Sequence, residues 1–216
     1  MTNLIAENTN IFPVLGTWLN TQNSIPLKMA FSTNEQAINL SDVNAYQAWI
    51  DAQCQGKIGH GGYFEKRDVY AQSGVFRDEE KARNIHLGID LWTAAETPIY
   101  APLDGIVHSF SNLLDTGNYG GVIILEHQIN QQTCFTLYGH INFESIKHAV
   151  GDNIKAGTQL ATLGAPEKNG GWPPHLHLQA MLSMEEHVGD YPGVCFEDEI
   201  AHYKQNCPDP SLLIFK

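Results

Sequence analysis

Two runs decide the fold: Gly121-Val122-Ile123-Ile124-Leu125-Glu126-His127 and Cys134-Phe135-Thr136-Leu137-Tyr138-Gly139-His140. Both are short and rich in β-branched or aromatic residues, and Gly, Asn and Asp lie around them, which is how strands read. The same pattern spreads outward. Ile99-Tyr100-Ala101-Pro102 and Gly105-Ile106-Val107-His108-Ser109-Phe110 precede these runs, and Ile154 and Gln159-Leu160-Ala161-Thr162-Leu163-Gly164 follow them. Closely spaced short strands with turn signals predict a mainly β protein, an antiparallel sandwich or barrel-like core. No doubly wound pattern and no phosphate loop is present.

The flanks are different in character. Residues 1–82 read as an N-terminal extension of short extended arms with one helix, from about residue 42 to residue 54. It starts after Ser41 with an early acid at Asp42 and stops before Gly56. The extension is expected to pack on the core and to be able to cover a groove. Residues 83–182 form the expected core. Residues 183–216 read as a tail with short helical turns, around Ser183–His187 and Glu197–Lys204, whose apolar end Leu212-Leu213-Ile214-Phe215 docks on that core.

Composition narrows the function classes. The chain has 216 residues, 43% of them apolar, and a formal charge of −12. A chain of that sign repels phosphate backbones, so nucleic acid is excluded as a partner. No run is long and apolar enough to span a bilayer, and the first residues lack a secretory pattern. The sequence as written therefore reads as cytoplasmic, or as exported if a leader has been removed. The cysteines Cys54, Cys134, Cys195 and Cys207 are widely spaced and read as buried free thiols.

Chemistry concentrates in histidines. In Pro174-His175-Leu176-His177-Leu178, an extended backbone puts both imidazoles on one face and both leucines on the other. In His86-Leu87-Gly88-Ile89-Asp90-Leu91, Leu87, Ile89 and Leu91 alternate with His86, Gly88 and Asp90. A flat strand separates His86 from Asp90 by about 13 Å, four steps of roughly 3.3 Å, too far for one ion to bridge. A bend at Gly88 is needed to bring them together. Thr136, Tyr138 and His140 share a face in the same alternation. The stretch Gly59-His60-Gly61-Gly62-Tyr63-Phe64-Glu65-Lys66-Arg67 reads as a glycine-rich loop, and His60, Tyr63, Glu65 and Arg67 are candidates to touch a substrate. The remaining histidines, His108, His127, His148, His187 and His202, read as surface or core-edge residues.

Taken in order, His86-x-x-x-Asp90, Tyr138-Gly139-His140 and His175-x-His177 resemble the motifs of the lysostaphin-type zinc metalloendopeptidases, known as peptidoglycan-cleaving enzymes. The resemblance covers roughly residues 83–182. It implies a metallopeptidase fold and one Zn2+ per chain held by His86, Asp90 and His177, with the fourth position left to water. It also implies that His140 and His175 assist as general base or acid, and that the partner is a peptide or peptidoglycan-like substrate. Tyr138 and Trp172 become further substrate-contact candidates. The family often carries an acid two places after the last motif, where this chain has Gln179, and the approach Asn169-Gly170-Gly171-Trp172-Pro173-Pro174 is stiffer than the family's small-residue approach. A second class of reading is a zinc-containing binding or regulatory module that keeps the fold and metal without catalysis.

Overall fold

A computed structural model describes residues 10–29, 42–67, 77–78 and 81–216. In chain order the elements are β1 (Ser24–Pro26), α1 (Val43–Cys54), β2 (Ile58–Gly61), β3 (Arg77–Asp78), β4 (Lys81–Ala82), β5 (Ile85–His86) and β6 (Ile89–Trp92). There follow β7 (Pro98–Tyr100), β8 (Gly105–Leu113), β9 (Gly120–Ile129), β10 (Gln132–Ile141), β11 (Asn153–Ile154) and β12 (Gln159–Thr162). The chain ends with β13 (His175–Met181), β14 (Val194–Cys195) and α2 (Ile200–Asn206).

Eight strands form one sheet in the order β1-β2-β6-β13-β10-β9-β8-β11. All neighbours in it are antiparallel except the edge pair β1–β2. The mainly β, antiparallel expectation holds. The large sheet is open, with β1 and β11 at its edges, and the small pair β7–β12 covers one face in place of a closed barrel.

Alternation along each strand sorts the side chains into two layers. Ile89 and Leu91 of β6, Leu176 and Leu178 of β13, Tyr138 of β10 and Ile123 and Leu125 of β9 join one core with Ile99, Leu160 and Leu163. Val14, Leu19, Leu213 and Ile214 complete it. Leu19 and Phe215 form a parallel bridge. Val122, Ile124, Leu137, Met181 and Tyr191 build a second cluster on the opposite side.

Helix α1 is capped by Asp42, whose carboxylate accepts from the backbone N–H groups of Asn44 and Ala45. Ser41, Ala30 and Phe31 lie outside the described residues. The helix packs Tyr46, Ile50 and Cys54 against Leu27, Met29 and Trp92. All four cysteines are free and buried.

Three expectations need correction. Ile58–Gly61 is a strand, not part of a loop, and residues 64–67 run antiparallel to residues 84–86. The glycines there serve close packing: a Cβ on Gly59 would lie 2.7 Å from both Cys54 Sγ and Leu27 Cδ1. His86 and Asp90 do not share a strand. The chain breaks at Leu87-Gly88, so Leu87 leaves the alternating face and packs with Ile85 and Cys195. His127 is fully buried, not a surface or core-edge residue.

The His127 ring explains its own burial. Its Nδ1 lies 2.8 Å from the Asp104 carbonyl, which can only accept, so Nδ1 carries the proton. Its Nε2 lies 2.7 Å from Thr136 Oγ1, which is 2.8 Å from the Tyr138 hydroxyl. Burial holds the His127 pKa below its ordinary value, against a smaller opposing effect of the Asp104 hydrogen bond. The unfolded chain therefore binds more protons than the folded chain below about pH 6.5. Stability is fully present above that pH and is lost as the pH falls toward the lowered folded value. Thermal melts with chelator should show a lower Tm at about pH 5 than at about pH 7, and the gap should narrow in His127→Gln.

Candidate metal centre

The site is built on one row across the sheet. Asp90 of β6 stands directly opposite His177 of β13, and each is flanked by a glycine, Gly61 of β2 beyond Asp90 and Gly139 of β10 beyond His177. These glycines make room. A Cβ on Gly61 would lie 2.6 Å from the Trp92 ring, and one on Gly139 would lie 2.5 Å from the Tyr119 ring. Gly88, at the break before β6, is equally constrained: a Cβ there would meet the Leu178 carbonyl at 2.6 Å and His177 Nε2 at 2.8 Å. The break at Leu87-Gly88 turns His86 back over Asp90, which closes the gap that a flat strand would leave.

Three atoms converge. His86 Nε2 lies 2.9 Å from His177 Nδ1, and Asp90 Oδ1 lies 3.1 Å from His177 Nδ1 and 3.2 Å from His86 Nε2. Ligand atoms at about 2.0 Å from a tetrahedral zinc stand roughly 3.3 Å apart, so this spacing fits zinc. The tautomers agree with it. His86 Nδ1 lies 3.0 Å from the Gly62 carbonyl and must donate to it. His177 Nε2 lies 2.9 Å from Gln179 Oε1, whose amide is oriented by Nε2 donating to the Pro192 carbonyl at 3.1 Å. Both outer nitrogens hold the protons, so two lone pairs and a carboxylate oxygen face one point. Three acceptors at that spacing call for a cation.

Charge state supports the same conclusion. Burial, reinforced by the Arg67 charge and only partly opposed by Asp90, pushes the His86 pKa down to about 4, which leaves a neutral imidazole at pH 7. Burial alone would raise the Asp90 pKa, but the positive charge gathered around it, with Arg67 in direct contact, holds it well below the usual carboxylate range.

The other two histidines stand beside this group. His140 Nδ1 donates to the Asn169 carbonyl at 3.0 Å and His175 Nδ1 to the Pro173 carbonyl at 2.7 Å, so each keeps an unprotonated Nε2. Their ring centroids are 4.1 Å apart, and His175 Nε2 lies 3.9 Å from Asp90 Oδ2. Burial lowers both pKa values, assisted for His140 by the His175 charge and opposed for His175 by Asp90. Strand alternation alone would send His140 to the core with Tyr138. A bulge between Tyr138 and Ile141, with His140 at φ 62°, turns the imidazole to the site instead.

All five residues line one cavity of about 210 Å³, with Tyr46, Trp92, Tyr119 and Trp172 among its walls. Of the substrate-contact candidates, Arg67 and Trp172 line it. The others are placed elsewhere. His60 packs edge-on to Phe215, and the Tyr63 hydroxyl donates to the Cys207 carbonyl. Glu65 is engaged by Met29 N and Arg67 Nε, and Tyr138 is buried in the main core. Missed by sequence reasoning were Tyr119, the Gly62 carbonyl and Asn169, whose side chain binds Gly164 O, Trp172 O and Trp172 N and so fixes the loop that orients His140. Only the Asn169-Gly170-Gly171 turn hinted at the last of these.

Gln179 Oε1 supplies the acceptor that fixes the His177 tautomer. Replacing Gln179 by Leu is expected to weaken zinc binding roughly 10–100-fold with the fold retained, because the His177 tautomer is no longer fixed. Competition with a zinc-sensitive chelator measures this.

Comparison with known proteins agrees with the geometry. The sequence profile of Peptidase family M23 matches residues 84–188. Peptidoglycan DD-endopeptidase ShyC of Vibrio cholerae is 32% identical over 98 residues, which is 45% of this chain and 20% of that protein. The chain thus matches only a fifth of that curated relative's length. Among solved structures, a zinc-containing peptidase from Vibrio cholerae shares 26% identity with a TM-score of 0.39, over 48% of this chain and 29% of that one. The catalytic domain of lysostaphin from Staphylococcus simulans shares 24% identity with a TM-score of 0.38, over 56% and 80% respectively. Residues 84–188, which carry the His86, Asp90 and His177 group, are therefore the part of this chain that is similar to Peptidase family M23.

Proposed function

We propose that the chain is a zinc-dependent hydrolase of peptide or amide bonds whose substrate is peptidoglycan or a peptide derived from it. The observation that carries this is the convergence of three unprotonated donor atoms, His86 Nε2, Asp90 Oδ1 and His177 Nδ1, beside two further neutral imidazoles. Bound there, zinc supplies a Lewis acid that polarises a carbonyl and lowers the pKa of water toward about 7. His86, Asp90 and His177 would hold the ion with two neutral imidazoles and one carboxylate.

The residues of the chain do the rest. His140 and His175, both neutral near pH 7, each present Nε2 to the cavity; one accepts a proton from the attacking water and the pair steadies developing negative charge as imidazolium forms. Pro173 O and Asn169 O hold these rings by their Nδ1 protons, so neither has to reorganise during the reaction. Trp92 stacks on His175 at 5.7 Å and Tyr119 packs on both His140 and His177, which keeps bulk water from the rings. The peptidoglycan assignment follows the similarity to the Vibrio cholerae peptidoglycan DD-endopeptidase, and a wall substrate implies action outside the cytoplasm. Among the described residues no helix is long and apolar enough to cross a membrane.

Peptidoglycan fragments and short peptides containing Gly and D-amino acids, incubated with and without chelator, test this reading. Cleavage that disappears with chelator and returns with zinc is expected. Zinc bound with none of these substrates cut would favour the non-catalytic binding module.

A further inference from the structure

The Asp90 carboxylate has two oxygens with different partners. Oδ1 faces His86 Nε2 and His177 Nδ1, while Oδ2 accepts from Arg67 Nη1 at 2.5 Å. Arg67 lies upstream of the family-matching residues 84–188. Its side chain is 3% exposed, and several contacts hold its guanidinium in one orientation. Nε donates to Glu65 Oε2 at 3.0 Å, and Glu65 Oε1 accepts from Met29 N at 3.1 Å. The guanidinium lies 5.7 Å from the centroid of Trp92, the ring that stacks on His175. Arg67 N donates to the Asn84 carbonyl at 2.8 Å, tying this segment to the chain just before His86.

We infer that Arg67 is a positioning residue which occupies Asp90 Oδ2, restricts Asp90 to one metal-binding oxygen, and so keeps the fourth position open for the reaction. A carboxylate can bind a cation through one oxygen or both. Asp90 is buried at 2% exposure, and no water shell competes for Oδ2. The planar fork of arginine suits this role, because one edge holds Asp90 while Nε holds Glu65, a division that the single ammonium of lysine cannot reproduce. The N-terminal segment therefore completes the centre, which the family-matching residues alone do not. The inference rests on the metal reading above.

The test uses the full chain reconstituted with cobalt(II), whose visible spectrum distinguishes four from five ligands. Wild type should show the intense bands of a four-coordinate site. Arg67→Met should show the weaker bands of a five-coordinate site, and with zinc its kcat should fall about 10–100-fold with KM little changed. Arg67→Lys keeps the charge and serves if Arg67→Met does not fold; it should show a spectrum between the two and a smaller loss of kcat. Wild-type spectra in both folded variants would overturn the inference, as would a wild-type spectrum and kcat in Arg67→Lys alone if Arg67→Met does not fold. Failure of the wild-type protein itself to bind cobalt would instead overturn the metal reading, so the two failures are distinguishable.

Discussion

Replacing His177 by alanine is expected to abolish stable zinc binding, while replacing His175, two residues away on the same strand face, leaves the zinc in place. The difference lies in which ring nitrogen faces the centre. His177 Nδ1 stands within 3.1 Å of both other donor atoms, with its Nε2 proton committed to Gln179. His175 commits Nδ1 to Pro173 O and stands 3.9 Å from the far oxygen of Asp90. Among the described residues, His86, Asp90 and His177 are the group whose donor atoms converge, so no neighbour takes over when His177 is lost. The affinity loss should exceed the roughly 10–100-fold typical of changes behind the ligands. Equilibrium competition against a chelator measures it, and a His177→Ala protein with wild-type affinity would remove His177 from the ligand set.

The second large effect is catalytic. His140→Ala and His175→Ala should each lower kcat about 10²–10⁴-fold at saturating zinc, the usual contribution of a positioned acid or base. Burial lowers both histidine pKa values, so the neutral bases persist below about pH 6.5 and the rate should fall only as acid reaches those lowered values. Rate profiles across pH, run with zinc content measured at every point, separate this limb from acid release of the metal. Loss of zinc in either variant would show that these rings hold the ion and do not serve the chemistry beside it.

Much of this arrangement is legible in residue order because strand alternation is a local rule. The leucines and histidines from His175 to Leu178 divide between core and site as an extended backbone requires. The rule fails where the backbone leaves regular geometry. Strand alternation placed Tyr138 and His140 together, but the bulge at His140 sends one to the core and the other to the cavity. It joined His86 to Asp90 in one strand, yet the two belong to β5 and β6 in different sheets. The glycines from Gly59 to Gly62 resembled a surface loop because composition does not distinguish a turn from a strand packed against large rings; the Trp92 ring beside Gly61 makes that distinction. Arg67 was legible as a groove residue, but not as the partner of Asp90. That contact depends on how residues 62–67 fold back along residues 84–86, which no spacing in the sequence encodes.

The convergence of His86, Asp90 and His177 on one cation is the centre of the account, and elemental analysis of the protein purified without chelator tests it most directly. About one zinc per chain is predicted, removable by chelator and restored by added zinc. A wild-type protein that is folded, free of zinc and unable to take it up would contradict the account.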